Sequence, residues 1–114
     1  MSRIETKKIG EVTVAVCCDM KLNDDLVIQE WGDQLVDLVD NQQVVKLLVN
    51  FERVLFMSSS ALRALLTLNK KVKDCNASLA LCCIDDNIME AFRITRLDTV
   101  FQIRKTEEEG TKAL

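Results

Sequence analysis

The chain has 114 residues, 48% of them hydrophobic, with a net charge of −3, four phenylalanines, one tryptophan and no histidine. This length suits one domain with a sizeable core, and the missing histidines exclude Ser-His-Asp and Cys-His catalysis within the chain. No apolar stretch could span a bilayer, so we expect a cytoplasmic protein without a signal peptide, and the few aromatic residues and small charge argue against a nucleic-acid partner.

The first part of the chain predicts a hairpin followed by an amphipathic helix. Residues 11–18 are rich in β-branched side chains and predict a strand. Residues 3–6 predict an edge strand, joined to it through residues 7–10. The polar run 23–25, Asn-Asp-Asp, can cap a helix and places negative charge at the positive end of its dipole. One apolar face of this helix recurs at intervals of three and four residues: Ile28, Trp31, Leu35 and Leu38.

Short apolar runs alternate with helical patterns in the rest of the chain. Residues 44–49 predict a buried central strand, and the apolar run 54–57 leads to three consecutive serines. The remaining elements are a helix over 60–73, a strand over 78–84, a helix over 87–94 and a strand over 100–103. Residues 105–114 contain three consecutive glutamates and predict a charged, flexible tail, which leaves 1–104 as a single domain.

This order of elements predicts an α/β fold. Strands that alternate with helices form a mixed sheet of four to five strands, mainly parallel, with the N-terminal hairpin as its antiparallel edge. Binding sites in such sheets gather where strands lead into helices. The serines Ser58, Ser59 and Ser60 lie at one of these junctions.

Three consecutive hydroxyls at this junction have three physical interpretations. One serine can cap the helix, which typically contributes about 1 kcal/mol relative to alanine, and small side chains can also reflect tight packing. A nucleophilic serine is disfavoured, because the chain has neither a histidine base nor a Gly-x-Ser-x-Gly pattern. A phosphorylated serine would meet unpaired N–H groups and the positive end of the helix, and its charge of about −1.5 to −2 could abolish docking of a partner.

The five cysteines predict neither a disulfide framework nor a metal site. Their spacing contains no Cys-x-x-Cys pair, and adjacent residues on a strand point to opposite faces. We interpret them as reduced, buried thiols that pack as small apolar side chains, with redox sensing or metal binding as the alternatives. We therefore expect no metal and no cofactor.

Three segments of the chain are together similar to one known family. Residues 56–62 read Phe-Met-Ser-Ser-Ser-Ala-Leu, against a family pattern of hydrophobic-hydrophobic-Asp-Ser-Ser/Thr-Gly-Leu before a helix. The run 44–57 resembles the strand and turn that approach this pattern. Residues 84–101 resemble the family's last strand end, helix and closing Leu-Asp-x-hydrophobic-Phe. The family is the STAS domain, as in bacterial anti-sigma factor antagonists, and the resemblance covers about residues 10–104.

The resemblance implies a site and a mode of regulation. It places the family's phosphoacceptor on Ser59, with Ser58 and Ser60 as alternatives. The unphosphorylated domain would bind an anti-sigma factor or a related serine kinase, phosphorylation would release it, and a phosphatase would reset it. The implied partner contacts are Asn23, Asn50, Met57, Ser58, Ser60, Ala61, Arg63 and Thr67.

Four positions depart from the family pattern. Ser58 stands where the family has Asp, Ala61 where it has Gly, and Asn23 and Asn50 where it has acidic residues. The absence of these carboxylates would weaken binding to a kinase and its nucleotide site. It would also reduce the electrostatic repulsion of a phosphate or of an anionic partner.

Three functions therefore follow from the sequence, and the first two are not enzymatic. The first is a partner-switching regulator controlled by phosphate on Ser59. The second is a constitutive STAS interaction or assembly module without phospho-switching, either as a homodimer or as one part of a larger signalling complex. The third is a small-ligand sensor or enzyme, for which the chain offers no catalytic base, metal set or Gly-rich phosphate loop.

Overall fold

Seven strands and four α-helices alternate along residues 2–114, which are the residues that the computed structural model describes. The strands are β1 (Ile4–Ile9), β2 (Val12–Cys17), β3 (Lys21–Leu22), β4 (Lys46–Asn50), β5 (Phe56–Met57), β6 (Ser78–Cys82) and β7 (Gln102–Arg104). The helices are α1 (Asp25–Asp40), α2 (Ser59–Asp74), α3 (Asp86–Ile94) and α4 (Glu107–Lys112), with a 3-10 turn at Leu97–Thr99. None of these helices is both long enough and apolar enough to cross a bilayer. Met1, the first residue of the predicted domain 1–104, lies outside the described residues.

The main sheet has five strands in the order β1-β2-β4-β6-β7. β1 is antiparallel to β2, and every other neighbouring pair is parallel. This confirms the predicted mixed α/β sheet with an N-terminal hairpin at its edge. β1 continues to Ile9, however, so residues 7–9 belong to the strand, and the turn itself contains Gly10 at a positive φ of 60°.

The main core lies between one face of this sheet and the first three helices. The predicted apolar face of α1 is confirmed, because all four of its residues are buried. Trp31 is fully buried and meets Phe51 edge to face, with ring centroids 6.3 Å apart. The close approach of α1 to α2 uses Gly32, where an added Cβ would lie 3.5 Å from Ala64 Cβ.

The opposite face of the sheet carries a second apolar cluster, and the end of the chain packs beside it. The cluster is formed by Val12, Val14, Val16, Leu48, Ala80 and Cys82. Gly110 of α4 is buried against Leu48, and Leu114 packs on the same cluster. Residues 105–114 are therefore not the solvated tail that their charge predicted. The three glutamates occupy the first turn of α4, where a helix dipole favours negative charge, and the apolar sheet face is removed from water.

Candidate functional site

The three serines lie at the start of α2, directly after β5. Ser58 is the N-cap residue in an extended conformation, and its N–H donates to the carbonyl of Leu22 at 2.9 Å. Ser59 and Ser60 are the first two helical residues, and Ser59 is exposed while Ser60 is half-buried. Ser59 therefore presents its side chain to solvent at the positive end of a 16-residue helix.

The predicted serine cap on α2 is not made. Ser58 occupies the cap position, but its side chain accepts no hydrogen bond from the first turn. Its Oγ is buried without a hydrogen-bond partner in the described part of the chain. The first turn also contains no acidic residue. The helix thus begins without either of the side-chain groups that usually offset its positive end.

The small sheet of β3 and β5 brings Asn23 to the serines. Leu22 pairs with Met57 in parallel, so Asn23 follows β3 where Ser58 follows β5. Met57 is half-buried and Asn23 is exposed. The neighbouring carboxylate of Asp24 is turned towards α1, because it accepts from the N–H groups of the first turn of that helix at 3.0 and 3.1 Å.

Asn50, by contrast, lies on the other side of the sheet from the serines. Its side chain is 1% exposed, accepts from the N–H of Glu52 at 2.8 Å and donates to the Glu107 carboxylate. Burial tends to raise the pKa of Glu107, but the hydrogen bonds from Lys7 and Asn50 outweigh it and lower this pKa below its ordinary value. The polar group at the end of β4 therefore holds α4 and is not exposed beside the serines.

The remaining predicted contacts divide between the core and the outer face of α2. Ala61 is fully buried, so only its neighbours can meet a partner. Arg63 and Thr67 are exposed one and two turns after Ser59, and the Thr67 hydroxyl donates to the Arg63 carbonyl at 3.2 Å. Positions four apart share one side of a helix, so Ser59, Arg63 and Thr67 form a polar stripe with no negative charge.

Sequence reasoning missed an apolar patch on the two segments that lead into β3 and β5. Met20, Leu55 and Phe56 are 58%, 55% and 50% exposed, and we call them the Met20 patch. They are neighbours, because the N–H groups of Leu55 and Phe56 both donate to the Met20 carbonyl, at 2.8 and 3.3 Å. Within the apolar run 54–57, only Val54 is fully buried. Exposed apolar side chains clustered beside polar ones are typical of interaction surfaces.

Comparison with known proteins identifies the family of this fold. The family model of the STAS domain matches residues 4–110, and the chain belongs to that family. A search of curated protein sequences finds no significant match.

Similar solved structures cover nearly the whole chain. An anti-sigma-factor antagonist (STAS) domain protein from Planctomyces limnophilus is 23% identical, with a TM-score of 0.85 over 99% of this chain and 98% of that one. A Thermotoga maritima protein assigned as an anti-sigma factor antagonist is 16% identical, with a TM-score of 0.84 over 96% and 92%. The Bacillus cell fate determinant SpoIIAA, in its phosphorylated form, is 19% identical, with a TM-score of 0.71 over 96% and 97%. At these identities the likeness establishes the fold.

Proposed function

We propose that this STAS domain is a cytoplasmic regulatory protein-binding domain of the anti-sigma factor antagonist type, without enzymatic activity of its own. Its partner is an anti-sigma factor or a related serine kinase, and phosphorylation of Ser59 ends the binding. The observation that carries the proposal is the exposed Ser59 at the first residue of α2, three residues after Phe56 of the Met20 patch. The phosphorylated SpoIIAA among the similar structures supports control of partner binding by phosphorylation.

Accessibility favours Ser59 over its neighbours as the phosphoacceptor. The Ser58 hydroxyl is buried, so a kinase could reach it only after the start of α2 opened. Ser60 is half-buried, whereas Ser59 is exposed. This difference in accessibility follows from the helix geometry, because consecutive residues at the helix start point in different directions.

A phosphate on Ser59 would affect the free domain and the complex in opposite ways. In the free domain, its charge of about −1.5 to −2 lies at the positive end of α2, whose first turn contains no acidic residue. In a complex that covers the Met20 patch, the same phosphate would have to lose water beside apolar side chains, which is strongly unfavourable. Phosphorylation therefore leaves the fold intact and removes the partner.

Partner capture from native lysate tests this proposal with four baits. We expect wild type and Ser59→Ala to retain a serine kinase or anti-sigma factor, and Ser59→Asp to bind it at least about tenfold more weakly, equivalent to about 1.4 kcal/mol. Ser78→Asp is the matched control, because Ser78 is exposed at the start of β6, at the opposite end of α2 from Ser59. Intact-mass analysis after incubation with the captured kinase should show one phosphate on wild type and none on Ser59→Ala.

The constitutive STAS interaction module is the second candidate function. It is favoured by the uncharged side chains of Asn23 and Ser58 beside Ser59, since neither supplies a carboxylate for a kinase site. Equal capture by wild type and Ser59→Asp, with no phosphate on any of the three serines, would select this function over phosphate control.

A further inference from the structure

Within residues 2–114, no strand pairs with the outer edge of β1, which lies beside an acidic groove. β1 is the terminal strand of the main sheet, and residues 5–10 are exposed. A groove of about 580 Å³ separates this edge from α1. Ile4 and Thr6 line it on the strand side, and the carboxylates of Asp33 and Asp37 line it on the helix side.

The backbone groups that point out from this edge can be assigned. The N–H of Cys18 donates to the carbonyl of Arg3, which places the odd-numbered residues of β1 in the hydrogen-bonded positions facing β2. The N–H and C=O groups of Ile4, Thr6 and Lys8 therefore point outward. Ser2 Oγ donates to the Ile4 carbonyl from outside the sheet at 2.6 Å, in agreement with this assignment.

We propose that this edge pairs with the same edge of a second copy of the chain, antiparallel and about a two-fold axis at Thr6. The two five-stranded sheets then join into one. An exposed strand edge is a template for such pairing, and an isologous contact requires a surface that is complementary to itself.

The charge pattern of β1 selects this register among its neighbours. Outward-pointing residues must pair with outward-pointing residues, so the two-fold axis can fall at Glu5, Thr6 or Lys7. An axis at Glu5 or Lys7 places two identical charges directly opposite each other, which is destabilising. An axis at Thr6 places each Glu5 opposite Lys7 of the second copy, which pairs opposite charges twice on the same face of the sheet.

The same register brings a positive charge of the second copy to the acidic groove. The side chains of Ile4, Thr6 and Lys8 point to the sheet face that α1, α2 and α3 cover. Their β2 partners include Ala15 and Cys17, which belong to the main core on that face. Lys8 of the second copy would lie opposite Ile4, beside the groove that Asp33 and Asp37 line. Lysines usually protect strand edges from pairing, but here each lysine of the edge meets a carboxylate across the axis.

Disulfide trapping tests the register directly in the full chain, in a Cys75→Ser background that removes the exposed thiol. Two Thr6→Cys chains would have Cα atoms about 5.5 Å apart, within the range of a disulfide. Two Lys8→Cys chains would be separated by about 13 Å along the strands, so this variant is the matched control. We expect mild oxidation to link Thr6→Cys into dimers and to leave Lys8→Cys unlinked. Linking of Lys8→Cys but not Thr6→Cys would overturn the proposed pairing.

Sedimentation of the unmodified chain tests the association itself. We expect the mass to rise from 12.9 kDa towards twice that value between about 10 μM and about 1 mM. Thr6→Pro removes one outward N–H and no hydrogen bond to β2, and proline is accepted on edge strands, so this variant should remain at 12.9 kDa. A wild-type chain that stays monomeric up to about 1 mM would overturn the proposal. If Thr6→Pro does not fold, the disulfide-trapping result tests the pairing in its place. Neither experiment depends on Ser59.

Discussion

Asn50 donates a hydrogen bond to the carboxylate of Glu107, although the two residues are 57 positions apart in the chain. The other oxygen of this carboxylate lies 2.9 Å from Lys7 Nζ. The Glu107 side chain therefore joins the hairpin edge, the end of the central strand and the first turn of α4. The helix at the end of the chain is held by these polar contacts as well as by the apolar cluster beneath it.

The first prediction is that the Glu107 contacts make stability depend on pH. The pKa of Glu107 is lowered in the folded chain, so its contribution is complete above the unfolded pKa of about 4.3 and is lost as pH falls through the folded value. We expect Glu107→Gln to reduce the free energy of unfolding at pH 7 by about 1 kcal/mol. In urea titrations the deficit should shrink as the pH falls below about 4.3 and through the lowered pKa of folded Glu107.

Glu108→Gln is the control for this experiment. Glu108 pairs with Lys112 on the outside of α4, and both side chains are about three-quarters exposed, at 79% and 76%. Exposed pairs of this kind contribute little, so the variant should follow wild type at every pH. Equal pH profiles for Glu107→Gln and wild type would show that α4 does not depend on this carboxylate.

The second prediction is that two glycine substitutions have opposite effects on stability. At Gly110, an added Cβ would lie 2.6 Å from Cδ1 of the fully buried Leu48, so Gly110→Ala should lower the unfolding free energy by about 1–2 kcal/mol. At Gly32, the nearest atom is 3.5 Å away in ordinary contact, so Gly32→Ala should gain up to about 1 kcal/mol of helix propensity. Thermal and urea unfolding of both variants measure the difference. A stabilising Gly110→Ala would show that Leu48 can move aside at little cost.

Much of the fold could be predicted because long periodic patterns are robust to local context. The apolar spacing in α1 buries the face that its period indicates, and the β-branched run of β2 and the apolar run of β4 form buried strands. The small sheet of β3 and β5 could not be predicted, because strands of two residues have no measurable period. The helix at 107–112 could not be predicted, because its charged composition does not show that an apolar sheet face lies beneath it.

The candidate site was predicted in its position and only partly in its surroundings. Order along the chain placed Ser59 at the start of a helix, and the structure puts it there and exposed. The family resemblance grouped Asn50 with Ser59 as a partner contact, but alternation along β4 turns the Asn50 side chain to the opposite face of the sheet. The Met20 patch depends on the pairing of β3 with β5, which brings residue 20 next to residues 55 and 56.

The third prediction concerns the order in which the cysteines react. Cys17 is fully buried, and its burial raises the pKa of the thiol to about 12, while it accepts a hydrogen bond from Trp31 Nε1 at 3.3 Å. Cys82 is also buried, whereas Cys75 is exposed, contrary to the expectation of buried thiols. A thiol reacts as its thiolate and only when it is accessible. We expect alkylation at pH 8 to modify Cys75 first and to reach Cys17 only on unfolding, as measured by peptide mass spectrometry.

A Cys75→Ser variant provides the control for this measurement. It should lose the fast phase of alkylation and keep the same unfolding free energy, because the side chain it replaces is exposed. Rapid labelling of Cys17 in the folded protein would mean that the core around Trp31 opens far more often than a fully buried, close-packed position should.

The fourth prediction compares two residues at helix N-caps. Asp24 accepts two backbone hydrogen bonds at the start of α1, so Asp24→Ala should lower the free energy of unfolding by about 1 kcal/mol. Ser58 occupies the same position on α2, but its buried hydroxyl has no hydrogen-bond partner within residues 2–114. Removing an unsatisfied buried polar group relieves its desolvation, so Ser58→Ala should be neutral or stabilising by up to about 1 kcal/mol. Urea unfolding of the two variants at one pH measures the contrast, and a loss at Ser58 equal to that at Asp24 would show that the serine does cap α2 in solution.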